Sequence, residues 1–429
     1  MQALLKRWPV LLVTLLVAGM LPVMSCGGGE EKTEKTPGVS DSEIKIGALL
    51  PLSQTAAAAW GIPISQGMKA YFDYINDQGG IYGRKINLIV GDSEYTGPVA
   101  SEAVRKLVEE DQVFAVQGTL GTDAESAVYQ YLEEKGVPDM YILTGESRFT
   151  EPVARNRFGF LVDYTDEGRI LGKYIADNFN GQKLGIIAQN DDFGKEGEQG
   201  LKEGIQENGA QLDTVTEYYD VTQTDITAQV QRLKNDNVDV IGFYGMPAQA
   251  AGLFITARQS LNWDVPVVMT GTDAVEIVGA LAGYENIQGA VSVVYGHQAF
   301  ETDVPGVAKH QEIMAKYAPG VKPSNLTLVG AAISEAMVGL MDQAGANLTR
   351  DSFLNAAEAV CKFVCSTCLV PTTTSPTDHR PTEVELFVKA TGTTADTFRW
   401  EPFGEPYGFE TTKDCTPATA SPGSTEQPR

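Results

Sequence analysis

The 429-residue chain is poor in positive charge, histidine and cysteine. It carries 32 Lys and Arg against 56 Asp and Glu, a net charge of −24. Nucleic-acid partners need a basic face and are excluded, as is adhesion to anionic lipid through charge. The three histidines, His297, His310 and His379, are scattered and build no metal cluster. There is no Gly-x-x-x-x-Gly-Lys-Ser phosphate loop, no Gly-x-Ser-x-Gly elbow and no complete dinucleotide turn, so a catalytic role and a bound cofactor have no motif to rest on. After residue 25 no apolar run approaches the ~20 residues of a membrane span, which weighs against a receptor with a second span leading to a signalling domain.

The N-terminus has what the rest lacks. Lys6 and Arg7 precede an almost wholly apolar stretch, 9–23, and then comes Val23-Met24-Ser25-Cys26. Residues 1–25 read as a secretory signal. The small residue before a cysteine resembles a bacterial lipobox, which implies cleavage before Cys26 and lipid attachment to it. An ordinary signal peptide with an incidental cysteine is the alternative, and a retained membrane helix the third. Residues 26–42 then form a flexible tether, rich in Gly, Glu, Lys and Thr. Loss of the first 25 residues removes two bases and no acid, leaving a net charge of −26. Cys361, Cys365, Cys368 and Cys415 remain, an even number in an exported chain, and suggest two disulfides of open connectivity. Cys365-Ser366-Thr367-Cys368 also has metal-ligand spacing, but exported context favours the disulfides over zinc.

From residue 43 apolar strands alternate with helical periodicity. Strands are expected at 44–50, 85–90, 113–117 and 142–143, with helices between them carrying Ile64, Met68, Tyr71, Phe72 and Ile75 on one face, then Val104, Leu107 and Val108. The alternation restarts with strands at 183–189, 212–218, 238–244 and 265–270 and helices between. This is an α/β chain with two doubly wound parallel-sheet lobes. Ligand crevices form at the carboxyl ends of such strands, and two facing lobes make a cleft. Further on, 290–294 reads as a strand, 304–317, 326–343 and 350–360 as helices, and 383–390 with 394–403 as an antiparallel pair. Residues 416–429 are Pro, Ser, Thr and Ala and read as a disordered tail.

Four strand-end loops carry the candidate chemistry. "GTLGTD" places Gly121 and Thr122 where a strand end meets a helix N-terminus, a place suited to a carboxylate or another acceptor. Thr122 could equally cap the helix, and Asp123 and Glu125 repel an anion there. "NDDFGKEG" brings Phe193, "FYGMPAQA" brings Met246 and "MTGTDAVE" brings Asp273 to equivalent places. Aromatic residues at strand ends suit an apolar or planar ligand, though each alone is more often core. Trp60, set in a loop of small residues, is the firmest of them.

"IKIGALLPLS", "AAWG", "INDQGGIYGRKINLIVGD", "GVPDM" and "DFGKEG" occur in order over about residues 43–345. That ordered set resembles the type I periplasmic substrate-binding proteins of ABC importers, in the leucine/isoleucine/valine-binding family. The resemblance implies two lobes joined by a multi-strand hinge: 43–160 with 290–345 as the first, 161–289 with about 380–403 as the second, and 346–379 as a Cys-containing connection. It implies that Trp60 covers the ligand and that Thr122, beside Leu120 and Gly121, contacts its carboxylate. It further implies that "LTGES" contributes Thr144, Gly145 and Ser147, and that Asp273 meets an ammonium. Phe193 and Met246 stand where the family carries tyrosines, so hydroxyls are lost from that lobe. Glu146 is unexpected in a carboxylate-binding loop, and "LTGES" also resembles relatives that take short amides.

The implied function is capture of a branched-chain or other amino acid by a lipid-anchored, extracytoplasmic clamp that acts as a monomer and delivers to a membrane permease. Short amides or other small organic solutes, presentation of ligand to a separate sensor, and an α/β enzyme are the alternatives, in that order.

Overall fold

The computed structural model describes residues 36–363 and 365–409, and of 361–363 the backbone alone. The first lobe begins with β1 (Glu43–Leu50), α1 (Ala58–Asp77), β2 (Lys85–Asp92), α2 (Gly97–Arg105), β3 (Ala115–Gln117), α3 (Thr122–Glu134), β4 (Asp139–Ile142) and β5 (Arg157–Gly159). All five strands run parallel, in the order β2-β1-β3-β4-β5. β1 is a nearly continuous apolar run, as a strand covered by helices on both faces must be.

The second lobe comprises α4 (Tyr164–Phe179), β6 (Lys183–Gln189), α5 (Asp192–Glu207), β7 (Asp213–Tyr219), α6 (Thr227–Asn235), β8 (Val240–Tyr244), α7 (Pro247–Phe254), β9 (Val267–Met269), α8 (Glu276–Ala282) and β10 (Val291–Val294). The chain then returns to the first lobe as α9 (Pro305–Tyr317), α10 (Asn325–Ala344) and α11 (Arg350–Ala357). A small pair, β11 (Cys361–Phe363) and β12 (Thr372–Thr373), follows. Finally β13 (Val384–Thr391), β14 (Arg399–Pro402) and β15 (Tyr407–Gly408) add an antiparallel edge to the second sheet, whose order is β14-β13-β10-β9-β8-β6-β7 with β15 on β13. The chain therefore crosses between lobes after β5, after β10 and before β13.

Two expected boundaries shift. Residues 290–294 fall in the second lobe, because β10 pairs with β9 on one side and β13 on the other. The connection 346–379 contributes α11 to the first core, where Phe353 packs edge-on to Phe114 at 5.2 Å and Arg350 donates to the carbonyls of Val113 and Phe114. The last part of the tether is folded: the Gly38 carbonyl accepts Lys45 N–H at 2.8 Å and Val39 packs on the core. The signal segment, Cys26 and the tail 416–429 lie outside the described residues. Among those described, no helix is long and apolar enough to cross a membrane.

One helix crossing positions the site. α1 and α10 meet backbone to backbone through two glycines. A Cβ on Gly67 would lie 2.0 Å from the Thr327 carbonyl oxygen, and one on Gly330 would lie 2.1 Å from that of Ile64. Ser324 and Thr327 cap α10 with a reciprocal pair of hydrogen bonds and hold its first turn in place.

Candidate functional site

A cavity, partly open to solvent, lies between the strand ends of the two lobes. It is walled from the first lobe by Trp60, Ile64, Tyr95, Leu120, Gly121 and Leu143. The start of α10 adds Asn325, Leu326, Val329 and Ala332. From the second lobe come Phe193, Gly271, Thr272, Ala274 and Val275, and the crossings add Phe160, Tyr164, Tyr295 and His297.

Trp60 is in this wall, but not in a loop. α1 starts at Ala58, so Trp60 sits in its first turn, 7% exposed. Pro63 falls inside the helix. Gly61 explains the local geometry: a Cβ there would lie 1.9 Å from the Pro51 carbonyl oxygen, so only glycine lets the helix lie on the end of β1. The Trp60 indole N–H is buried and finds no acceptor among the described residues.

The other expected residues divide. Leu120, Gly121 and Phe193 line the cavity. Thr122 and Thr144 lie just behind it, buried, their hydroxyls bonded to each other at 2.7 Å, and Thr144 also reaches the Tyr164 hydroxyl. Thr122 does not cap α3; Gly121 holds that position and no side chain caps it. The Gly145 carbonyl accepts Tyr164 N–H at 2.8 Å and so orients that ring. Ser147 N–H donates across the lobes to Glu196, at 3.2 Å. Met246 N–H donates to the Tyr219 hydroxyl at 2.9 Å, and its side chain joins the first lobe's core cluster. Phe193 packs on Tyr164 with ring centroids 4.6 Å apart.

Asp273 is turned away from the cavity. Its neighbours Gly271, Thr272, Ala274 and Val275 line the wall, while its own carboxylate is fully buried with no hydrogen-bond partner among the described residues. Burial, then the nearby charge of Glu167, pushes its carboxyl well above the usual range. The two Glu167 oxygens accept from the Thr270 hydroxyl (2.6 Å) and Gly271 N–H (3.1 Å). Glu125 behaves similarly in the first lobe: burial, then Asp139, pushes it well up, and Asp123 accepts Gly97 N–H at 2.6 Å. The repulsion expected from these two acids at the start of α3 is therefore largely spent elsewhere.

The lobes are closed on each other. Arg148 pairs with Asp192 at 2.9 Å, the partly buried Tyr95 meets Gln189, and Asn325 donates to the Ala274 carbonyl at 3.3 Å. Glu196, at this seam, is raised to about 7, first by burial and then by Glu146.

Sequence reasoning did not foresee the wall formed by Tyr295, Gly296, His297 and Gln298, although 290–294 was read as a strand and its end is one more strand end. It expected disulfides among the cysteines, but not that their loop reaches the cavity. Cys365 and Cys368 form a disulfide, and Thr367 and Cys368 line the cavity. The loop is fastened by His297 N–H donating to the Thr367 carbonyl (2.8 Å) and by Ser366 donating to Glu335. No group of three or more His, Cys, Asp or Glu arranged for a metal occurs among the described residues. Cys415 lies outside them, as does the Cys361 side chain.

Residues 43–394 match the family described as Periplasmic binding protein. A Leu/Ile/Val-binding protein homolog 1 from Brucella suis biovar 1 (strain 1330) is 24% identical over 309 residues, 71% of this chain and 80% of that one. A branched chain amino acid ABC transporter structure from Thermus thermophilus with bound valine superposes with a TM-score of 0.76, at 17% identity, over 86% of this chain and 98% of the other. A fatty acid ABC transporter substrate-binding protein from Thermomonospora curvata does so with a TM-score of 0.75, at 23% identity, over 86% and 94%. Two doubly wound lobes closed over an apolar cavity, three crossings between them and this family match place the chain among the type I periplasmic binding proteins of the Leu/Ile/Val-binding family.

Proposed function

We propose that this chain is the lipid-anchored, extracytoplasmic receptor of an ABC importer, which captures a small, largely apolar solute between its lobes and delivers it to a membrane permease. The observation that carries this reading is the cavity itself, walled by strand-end loops of both lobes and flanked by contacts across them. Ligand gathers on the first lobe, through Trp60, Leu120 and Gly121. The second lobe then closes with Phe193 and the loop after β9, which removes the solute from water. Closure places every buried polar group in need of a partner, so the closed shape reports occupancy to the permease. Thr122, Thr144, Gly145, Ser147 and Met246 set the walls from behind. Lipid on Cys26 keeps the clamp, as a monomer, near its permease.

Relatedness makes branched-chain amino acids the first solutes to test. A second reading, short amides or other organic solutes, is favoured by Phe193 and Met246, which offer the ligand no hydroxyl. Calorimetric titration of refolded protein against both classes tests the function. Trp60→Ala removes a large buried apolar surface and should weaken binding about thirtyfold, or roughly 2 kcal/mol. Unchanged affinity in that variant would place the binding site elsewhere.

A further inference from the structure

The cavity wall has a chemistry of its own, and it narrows the ligand class, provided the cavity is the solute site. Among the described residues that line it there is no Asp, Glu, Lys or Arg side chain. Six aromatic side chains, Trp60, Tyr95, Phe160, Tyr164, Phe193 and Tyr295, contribute instead. The acid of the loop after β9, Asp273, does not line the cavity, and the oxygens of nearby Glu167 are occupied by Thr270 and Gly271. An ammonium drawn into this space would lose its water and meet no carboxylate, and aromatic faces return only part of that cost.

The donors are placed differently. The Trp60 indole N–H is buried and without an acceptor. The start of α3, next to Gly121 in the wall, has no side-chain cap, and its first N–H groups carry partial positive charge. Glu125 in its first turn is fully buried against Asp139, on the side away from solvent. A polar end that accepts hydrogen bonds, a carboxylate or an amide carbonyl, suits donors of this kind.

We propose that the solute has a bulky aromatic or branched alkyl body and one hydrogen-bond-accepting end, and carries no ammonium group. Matched pairs test this on the intact protein, freed of carried ligand by unfolding and refolding. The pairs are 4-methylpentanoate against leucine, and 3-phenylpropionate and 3-phenylpropionamide against phenylalanine. At least one ammonium-free member should bind at least thirtyfold tighter than its amino counterpart, and acid against amide tells which acceptor end is used. Trp60→Phe, which keeps a ring and loses the N–H, should weaken that ligand about five- to tenfold. Thr272→Asp, which adds a carboxylate to the wall, should narrow the ratio; an unchanged ratio counts against the proposal. Equal or tighter binding of the amino acids overturns it and leaves solute capture standing. Binding of neither class also overturns it. If protein isolated without unfolding then releases no small molecule detectable by mass spectrometry, solute capture falls as well.

Discussion

Gly67→Ala and Gly330→Ala separate two opposed effects at the α1–α10 crossing. On an isolated helix, alanine in place of glycine stabilises by about 1 kcal/mol. Here the new methyl would sit 2.0 Å from the Thr327 oxygen, or 2.1 Å from the Ile64 oxygen, where ordinary contact needs more than 3 Å. Neither oxygen can swing aside, because each belongs to a helix backbone. The helices must part by about 1 Å, and overpacking of this kind costs about 1–3 kcal/mol. Each single variant should therefore lose up to about 2 kcal/mol net. The double variant should lose much less than the sum, since one separation accommodates both methyls, giving a coupling of about 1 kcal/mol. Urea unfolding of the four proteins measures this, with an unchanged m-value as the check on two-state behaviour. Ligand affinity should fall in parallel, because Trp60 and Ile64 on α1 and Val329 and Ala332 on α10 share the cavity wall. If either single variant were more stable than the parent by about 1 kcal/mol, the close crossing would be refuted.

The seam between the lobes makes affinity depend on pH. Glu196 is raised to about 7 in the closed form by burial and by Glu146, and returns toward its ordinary value near 4.5 when the lobes part. Closure then takes up a proton between those values, so this contribution should be fullest below about pH 4.5, weaken as pH rises to about 7, and level off above. Glu196 is partly solvated, so about three- to tenfold is expected over that window; affinity that rises with pH would contradict the assignment. Replacing Cys365 and Cys368 together with serine, or reducing their disulfide, closes only a short loop less and should cost about 2 kcal/mol of stability or under. Affinity should fall too, because Thr367 and Cys368 are part of the wall; equal dissociation constants with and without reductant would disprove that role.

Most of the sheet architecture is legible in the sequence because parallel strands buried on both faces are uninterrupted apolar runs. β6 was readable to the residue, and the β13–β14 pair by its texture. α4 carried its own signal, Asp163 as a cap and Ile170, Leu171 and Ile175 at helical spacing, but it follows a stretch dominated by the crossing between lobes. Strand ends pointed to Trp60, Leu120, Gly121 and Phe193. What they could not disclose is orientation: Asp273 and Thr272 are adjacent, yet one lies behind the wall and the other in it. Likewise the approach of residues 367 and 368 to a loop some seventy positions earlier depends on how α9, α10 and α11 pack, which no local pattern encodes.

That last approach bears on the order in which the molecule is made. The first lobe starts at β1 but needs α9, α10 and α11, and the binding wall waits for Thr367 and Cys368. A chain synthesised from its N-terminus has no complete pocket until more than four-fifths of it has emerged. Long-range closure of this sort slows folding, because distant segments must meet before either is rewarded. Threading the lobes through one another thus keeps the nascent chain loose while it is being made, and solute capture begins only once the far end has come home.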